Sequence, residues 1–339
     1  MTTDYQSTID CVLKKLKENE EWKERYQSYA EELSDERVGY IKKANGLFSV
    51  KTPLTKNLTV SLIKNGSKNT VTYSLRYQGQ EIGTIRVTGG EEVKLSTNSP
   101  GGKELVENNQ RDFGYKGEAL SDEPWLSPKA IAFRRHFITG KPQRTDAAKK
   151  GNKEHNLESC LISEFSKTSS ADKSLTDIQP VRFAKTRFAM PTPISASDSN
   201  NIRYSGANGG GVDILARTGR GGANYLTVIE VKDEYTTQEP PQSALKQAIA
   251  YAVFIHKLLR SESGKHWHEL FGYGRDIPSK LKIRACVAMP HNQRGSDDES
   301  FGNLVLPVGD DGDTIECHYI YFNWDGKRIS KLTTSLPSN

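Results

Sequence analysis

Between Gly211 and Tyr251 the chain reads GVDILARTGRGGANYLTVIEVKDEYTTQEPPQSALKQAIAY. GVDILART and YLTVIEVKDE are β-type runs on either side of Arg220-Gly221-Gly222-Ala223, which predicts a hairpin. Behind Pro240 and Pro241, SALKQAIAYAVFIHKLLR predicts an apolar helix with Ser243 as its N-cap. If Gly221 and Gly222 are the central residues of a tight turn, Asp213 falls directly opposite Glu230, with β-carbons about 4.5 to 5.5 Å apart. Lys232, two residues beyond Glu230, leaves the same face of its strand.

The flanking segments fit a sheet built around this hairpin. NKEHNLESCLISEFSK, from Asn152, is helical, and Leu161, Ile162 and Phe165 follow Glu158 at helical spacing, so that carboxylate shares the buried face. A carboxylate there is costly unless something pairs with it. Short strands are expected from Pro180 to Phe183 and from Arg187 to Met190, before the Gly-rich SGANGGGVD. KIRACVAMP, residues 282–290, and ECHYIYFNWDG, residues 316–326, supply two more. This order of helices and strands is that of a mixed sheet flanked by helices. DDGDTIE, residues 310–316, reads as a solvated turn without full calcium-loop spacing, and His266 and His268, two apart on a helix, diverge.

At 339 residues the chain exceeds what one core usually supports. The N-terminal part has a different texture. Residues 5–35 are helical, with Ile9, Val12, Leu13, Leu16, Trp22, Tyr26 and Tyr29 near helical spacing, and are expected to pack on their own domain. From Phe48 to Leu95, LTVSLIKNG, TVTYSLRYQG, EIGTIRVTGG and EEVKLST alternate apolar with polar and are divided by Asn-Gly, Gln-Gly and Gly-Gly turns, an antiparallel meander. Residues 96–125 read as a linker, and Ser127-Pro128 opens a helix to residue 139. The division expected is an N-terminal α+β domain over 1–110, a linker with a helix over 111–146, and a second domain over 147–339.

Asp213, Glu230 and Lys232 carry the chemistry. Two close carboxylates repel unless one protonates or a cation lies between them. An all-oxygen set favours Mg²⁺ or Mn²⁺, to which Val231 could add its backbone carbonyl. Such an ion activates water and offsets charge on a phosphate, and a neighbouring Lys orients that water or stabilises developing charge. The competing reading is a plain surface hairpin with a Glu–Lys pair. The Asp at hairpin spacing, the apolar run before Glu230 and the helix with Gln247 and Tyr251 on one face weigh against it.

Asp213, Glu230-Val231-Lys232 and Gln247-Ala248-Ile249-Ala250-Tyr251 together resemble the PD-(D/E)XK nuclease superfamily, in the branch with a Gln-x-x-x-Tyr helix. The resemblance covers roughly residues 147–330, and Val212 stands where the family pattern has Pro. It implies a restriction-endonuclease-like core and metal-dependent cleavage of DNA, RNA being the alternative. By position it makes Asp213 and Glu230 metal ligands and Lys232 the residue that positions water. Glu158 is the first-helix carboxylate added to the metal shell, with Glu154 the weaker candidate. Gln247 and Tyr251 would shape the site and contact the nucleic-acid backbone. A bacterial defence effector and a DNA-processing enzyme are the roles that follow by analogy.

Composition excludes little. A net charge of +5 is compatible with a polyanionic partner without identifying one. Cys11, Cys160, Cys286 and Cys317 are scattered, so neither a zinc site nor a disulfide framework is indicated. No run of about 18 apolar residues is present, and an N-terminus without an apolar signal core points to the cytoplasm. A non-catalytic nucleic-acid-binding or partner-binding module is the second functional class. Recognition of a ligand or partner by the N-terminal domain, and a homo-oligomer, stay open.

Overall fold

The helix Pro241–Leu259, 19 residues long and carrying the apolar run AIAYAVFI at 248–255, is buried on almost every side, as a helix apolar over most of its surface must be. The structure is a computed structural model and describes residues 4–33, 35–48, 58–63, 70–89, 91–99, 102–139, 153–166, 177–183, 186–235, 239–326 and 328–337. In chain order, α1 (Tyr5–Glu18), α2 (Trp22–Glu32) and α3 (Asp35–Phe48) precede β1 (Leu58–Ile63), β2 (Thr70–Tyr77), β3 (Gln80–Thr88) and β4 (Glu92–Ser96). Next come α4 (Val106–Phe113), β5 (Glu123–Pro124), α5 (Pro128–Thr139) and α6 (Lys153–Phe165). Short strands β6 (Ile178–Pro180), β7 (Arg182–Phe183), β8 (Thr186–Phe188), β9 (Ile194–Ser195) and β10 (Arg203–Tyr204) lead to β11 (Ile214–Thr218) and β12 (Tyr225–Val231). The long helix is α7; α8 (Gly264–Leu270), β13 (Lys282–Pro290), β14 (Val305–Val308), β15 (Asp313–Trp324) and β16 (Ile329–Thr334) complete the order. The fold is mixed α+β, and no helix among the described residues is long and apolar enough to cross a membrane.

The chain divides into two units that do not follow sequence order. The larger comprises Met1–Ala30, Cys160–Val181 and Ala189–Asn339, and the smaller Glu31–Ser159 with Arg182–Phe188. In the smaller unit β1 to β4 form the antiparallel meander, extended by β5 beside β4 and by β8 parallel to β1. Gln78 and Gly79, with φ of 48° and 82°, form the turn between β2 and β3, which suits a Gly at the second position. The Asn65-Gly66 turn lies outside the described residues. The stretch read as a linker contains α4, closed by Gly114 at φ 64°. Ser127 Oγ accepts the Ala130 N–H at 3.1 Å as the expected cap of α5.

In the larger unit the sheet order is β14-β15-β13-β12-β11-β6, with β16 also paired to β15. β12, β13 and β15 are mutually parallel and the outer strands antiparallel. A parallel pair needs a crossover, and α7 supplies the one between β12 and β13, packing on both. α1 packs on the other side of α7. Trp22 and Tyr26 pack their rings on Phe254 at 5.7 and 4.9 Å, and Trp267 Nε1–H donates to the Tyr26 carbonyl at 3.0 Å. α1 and the first part of α2 therefore complete the core around α7, while α3 packs on β2 of the meander.

The C-terminal end of α7 is clamped by Asp313, which is 1% exposed. Its carboxylate accepts from His256 Nε2, Arg260 Nε and Arg260 Nη2, each at 2.8 Å, and from the Leu281 N–H at 2.6 Å. The residue expected in a solvated turn instead ties α7 to the starts of β13 and β15. Burial works against its ionisation, but the hydrogen bonds from Arg260, His256 and Leu281 outweigh it and hold the pKa at about 2. Asp313→Ala should cost about 3 to 5 kcal/mol, because it leaves the Arg260 and His256 donors without their acceptor. Since the folded-state value is depressed, Asp313 stabilises fully above about pH 4, and that contribution is lost as pH falls towards 2. Urea titrations across this range should show a shallower acid decline for Asp313→Asn than for the natural chain; equal slopes would remove Asp313 as the cause.

Candidate functional site

The hairpin register is the expected one. Ile214 pairs with Ile229 and Thr218 with Tyr225, the register that, continued one residue, faces Asp213 to Glu230; the pairing itself ends at Ile214. The turn is not a two-residue one: Gly219 to Asn224 form a wider loop containing a short 3-10 turn, Gly221–Ala223. That loop is symmetric about the same centre, which is why the register survives. Gly219, at φ 95°, would bring a Cβ to 2.2 Å from the Ala223 carbonyl oxygen, so the loop needs glycine there.

At Asp213 the chain leaves one ladder for another. The Val212 N–H donates to the Met190 carbonyl at 3.0 Å, the Thr192 N–H donates to the Gly210 carbonyl at 2.9 Å, and the Gly210 N–H donates to the Ile194 carbonyl at 3.0 Å. The Asp213 side chain replaces the missing backbone acceptor: Oδ2 takes the Val231 N–H at 2.9 Å. In a strand the N–H and C=O of one residue leave the same edge, so the Val231 carbonyl is directed to Asp213's side of β12. The glycines before Asp213 make this crossing possible. A Cβ on Gly209 would lie 2.0 Å from the Thr192 carbonyl oxygen, and one on Gly210 2.7 Å from the Tyr251 hydroxyl.

Glu230 and Lys232 sit at the C-terminal end of β12 and are 4% and 7% exposed. Lys232 Nζ lies 3.1 Å from Glu230 Oε1 and 3.7 Å from Glu239 Oε1. Gln247 Nε2 donates to that same Glu239 oxygen at 3.1 Å. Tyr251, one turn further along α7, accepts the Ala196 N–H at 3.4 Å. Burial first, then the charges of Glu230 and Asp213, push its pKa up to about 12, so its hydroxyl stays protonated at neutral pH.

The structure thus brings Asp213, Glu230, Val231, Lys232, Gln247 and Tyr251 together in the larger unit. Gln247 and Tyr251 are 1% and 4% exposed, as deeply buried as Glu230 and Lys232 beside them. Pro240, not Ser243, precedes the first turn of α7, and no side chain caps it. Glu158 and Glu154 belong to the part of α6 counted with the smaller unit, where Glu158 lies 3.5 Å from His155 Nδ1. Glu239 is the residue the sequence reading missed. Its only signal is an acid directly before Pro-Pro, eight positions ahead of Gln247.

Among the described residues no group of three or more His, Cys, Asp or Glu side chains is placed to hold a metal ion. The donors present still fit one class of ion. Mg²⁺ keeps several waters and is held by one or two carboxylates, and Asp213, Glu230 and the Val231 carbonyl are oxygen donors at the same end of the β11–β12 hairpin. No family model matches the chain, and no curated protein or solved structure matches it either.

The glycine run is testable by stability. Gly209→Ala should cost about 1 to 3 kcal/mol or more, since its clash is with backbone. Gly210→Ala meets the end of a side chain, so adding Tyr251→Phe should restore part of the lost melting temperature. Equal losses for both alanines, with no recovery in the double variant, would show that the close approach is not what requires these glycines.

Proposed function

We propose that the chain is a metal-dependent nuclease that hydrolyses phosphodiester bonds, with DNA as substrate. The observation that carries the reading is the convergence of Asp213, Glu230 and Lys232 at the end of β12, held by the 2.9 Å bond between Asp213 and the Val231 N–H. Two carboxylates and an ammonium fixed at one strand end suit a metal-assisted attack on a phosphate more than they suit a surface hairpin. The resemblance to the PD-(D/E)XK superfamily names the same residues and supports the same chemistry.

In this reading Asp213, Glu230 and the Val231 carbonyl hold a Mg²⁺ or Mn²⁺ ion. Bound there, the ion would lower the pKa of a coordinated water and offset charge on the scissile phosphate. Lys232 would orient that water and offset negative charge developing on the phosphoryl oxygens. Glu230, through its 3.1 Å contact, keeps the ammonium on the same face as the carboxylates. Tyr251 remains a neutral hydroxyl and holds the Ala196 to Gly210 excursion beside the site.

A second reading is a binding module without catalysis, favoured by the near-complete burial of Glu230 and Lys232. The two readings separate in one assay on supercoiled plasmid, linear duplex, single strands and RNA. Cleavage should require Mg²⁺ or Mn²⁺, stop with EDTA, and fall at least about 100-fold in Asp213→Asn and in Lys232→Met. Asp213→Asn should melt close to the natural chain, and Lys232→Met, which leaves Glu230 buried without its ammonium, should melt lower but stay folded at the assay temperature. Unchanged cleavage in both folded variants would end the nuclease assignment, and duplex binding without cleavage by the natural chain would favour the binding module.

A further inference from the structure

We infer that Glu239 is a positioning residue for Lys232 and that Gln247 acts through it; this rests on the nuclease reading of the site. A lysine carries about 2 kcal/mol of rotamer entropy on a four-carbon stem, so an ammonium acts at a defined point only if something fixes it. Glu230 fixes it from its own strand, at 3.1 Å. Glu239 reaches it from the segment that precedes α7, at 3.7 Å.

Three features hold Glu239 where it is. Pro240 follows it and restricts its backbone to the extended region. Pro241 opens α7 with φ already set for a helix. Gln247, fully inside the fold, donates to the Glu239 oxygen that faces Lys232. The order is therefore Gln247 Nε2 to Glu239 Oε1 to Lys232 Nζ to Glu230 Oε1, running from α7 through the pre-helix segment to β12. The side chains differ in access: Glu239 is 44% exposed where Lys232 is 9%. Glu239 is thus the member of this series that meets solvent, and it stands at the open side of the ammonium. A displacement of about 1 Å at a reacting group can lower a rate about 100-fold.

The test uses the full chain, Mg²⁺ and supercoiled plasmid. Glu239→Gln and Glu239→Ala should lower kcat about 10- to 100-fold with KM within about twofold, because the residue places a group used in the transition state. Glu239→Asp, which keeps the charge, should recover part of the rate. Gln247→Ala should lower kcat as well, and Glu239→Ala combined with Gln247→Ala should lose no more than Glu239→Ala alone. A readout independent of activity is the melting temperature of Lys232→Met, Glu239→Gln and the double variant, where the combined shift should be smaller than the two single shifts together. A kcat within twofold of the natural chain in Glu239→Ala, an effect on KM alone, or additive melting shifts would each overturn the inference. Loss of cleavage in Asp213→Asn beside full activity in Glu239→Ala would leave the nuclease reading standing and remove only this one.

Discussion

The hydrogen bond between the Val231 N–H and Asp213 Oδ2 marks the point on which the rest of the larger unit turns. Up to Ile214 the strand β11 pairs with β12, and from Val212 back the backbone pairs with the 190–194 segment. A chain cannot serve both ladders at one residue, so one backbone donor of β12 is left at the crossing. A buried donor without an acceptor costs about 1 to 3 kcal/mol. A short side-chain acceptor at position 213 meets that demand and is simultaneously fixed opposite Glu230. The glycines at 209 and 210 matter for the same reason, because they let the incoming backbone lie against Thr192 and Tyr251 without a clash.

Helix α7 links this crossing to the stability of the whole unit. Gln247 and Tyr251 near its N-terminal half stand at the site, while His256 and Arg260 at its C-terminal end hold Asp313. Gln247 and His256 are about 14 Å apart along the axis at 1.5 Å per residue. A helix buried between α1 and the sheet has little freedom to slide, so the clamp at one end sets the position of the side chains at the other. The site is accordingly built largely on β12 and α7, with Asp213 and Glu239 supplied from just outside the regular elements.

Much of this was legible in the sequence, for reasons particular to each element. The short apolar run at 285–289, buried on both faces of its strand, and the Gly-punctuated meander mark strands by composition and turn residues, and the turn centred on Gly221 and Gly222 sets the register that brings Asp213 towards Glu230. The loop length was not legible, because a six-residue loop and a two-residue turn on one centre give the same pairing. Helix α4 escaped because VENNQRDF is short and polar and its buried face carries Asn109 and Asp112 beside Phe113; Gly114 closes it. The placement of the N-terminal helices depends on which partner their apolar faces meet, and periodicity reports the face without the partner. Asp313 and Glu239 were hidden for a related reason. An acid in a Gly- or Pro-rich stretch reads as solvated, and only the tertiary arrival of Arg260 or Lys232 changes that.

The burial of Glu230 and Lys232 is the feature that stability explains least. An ion pair taken out of water pays desolvation for both groups, and apolar residues of similar volume at such positions are often equally or more stabilising. Strand β12 shows the alternative on its own face, since Leu226 and Val228 precede Glu230 in the same alternation and are buried without charge. The sheet would tolerate a third apolar residue there as readily. What an apolar residue would not do is hold an ammonium 3.1 Å away on the face that Asp213 shares. The charged end of β12 is therefore better accounted for by the chemistry proposed for it than by the fold that carries it.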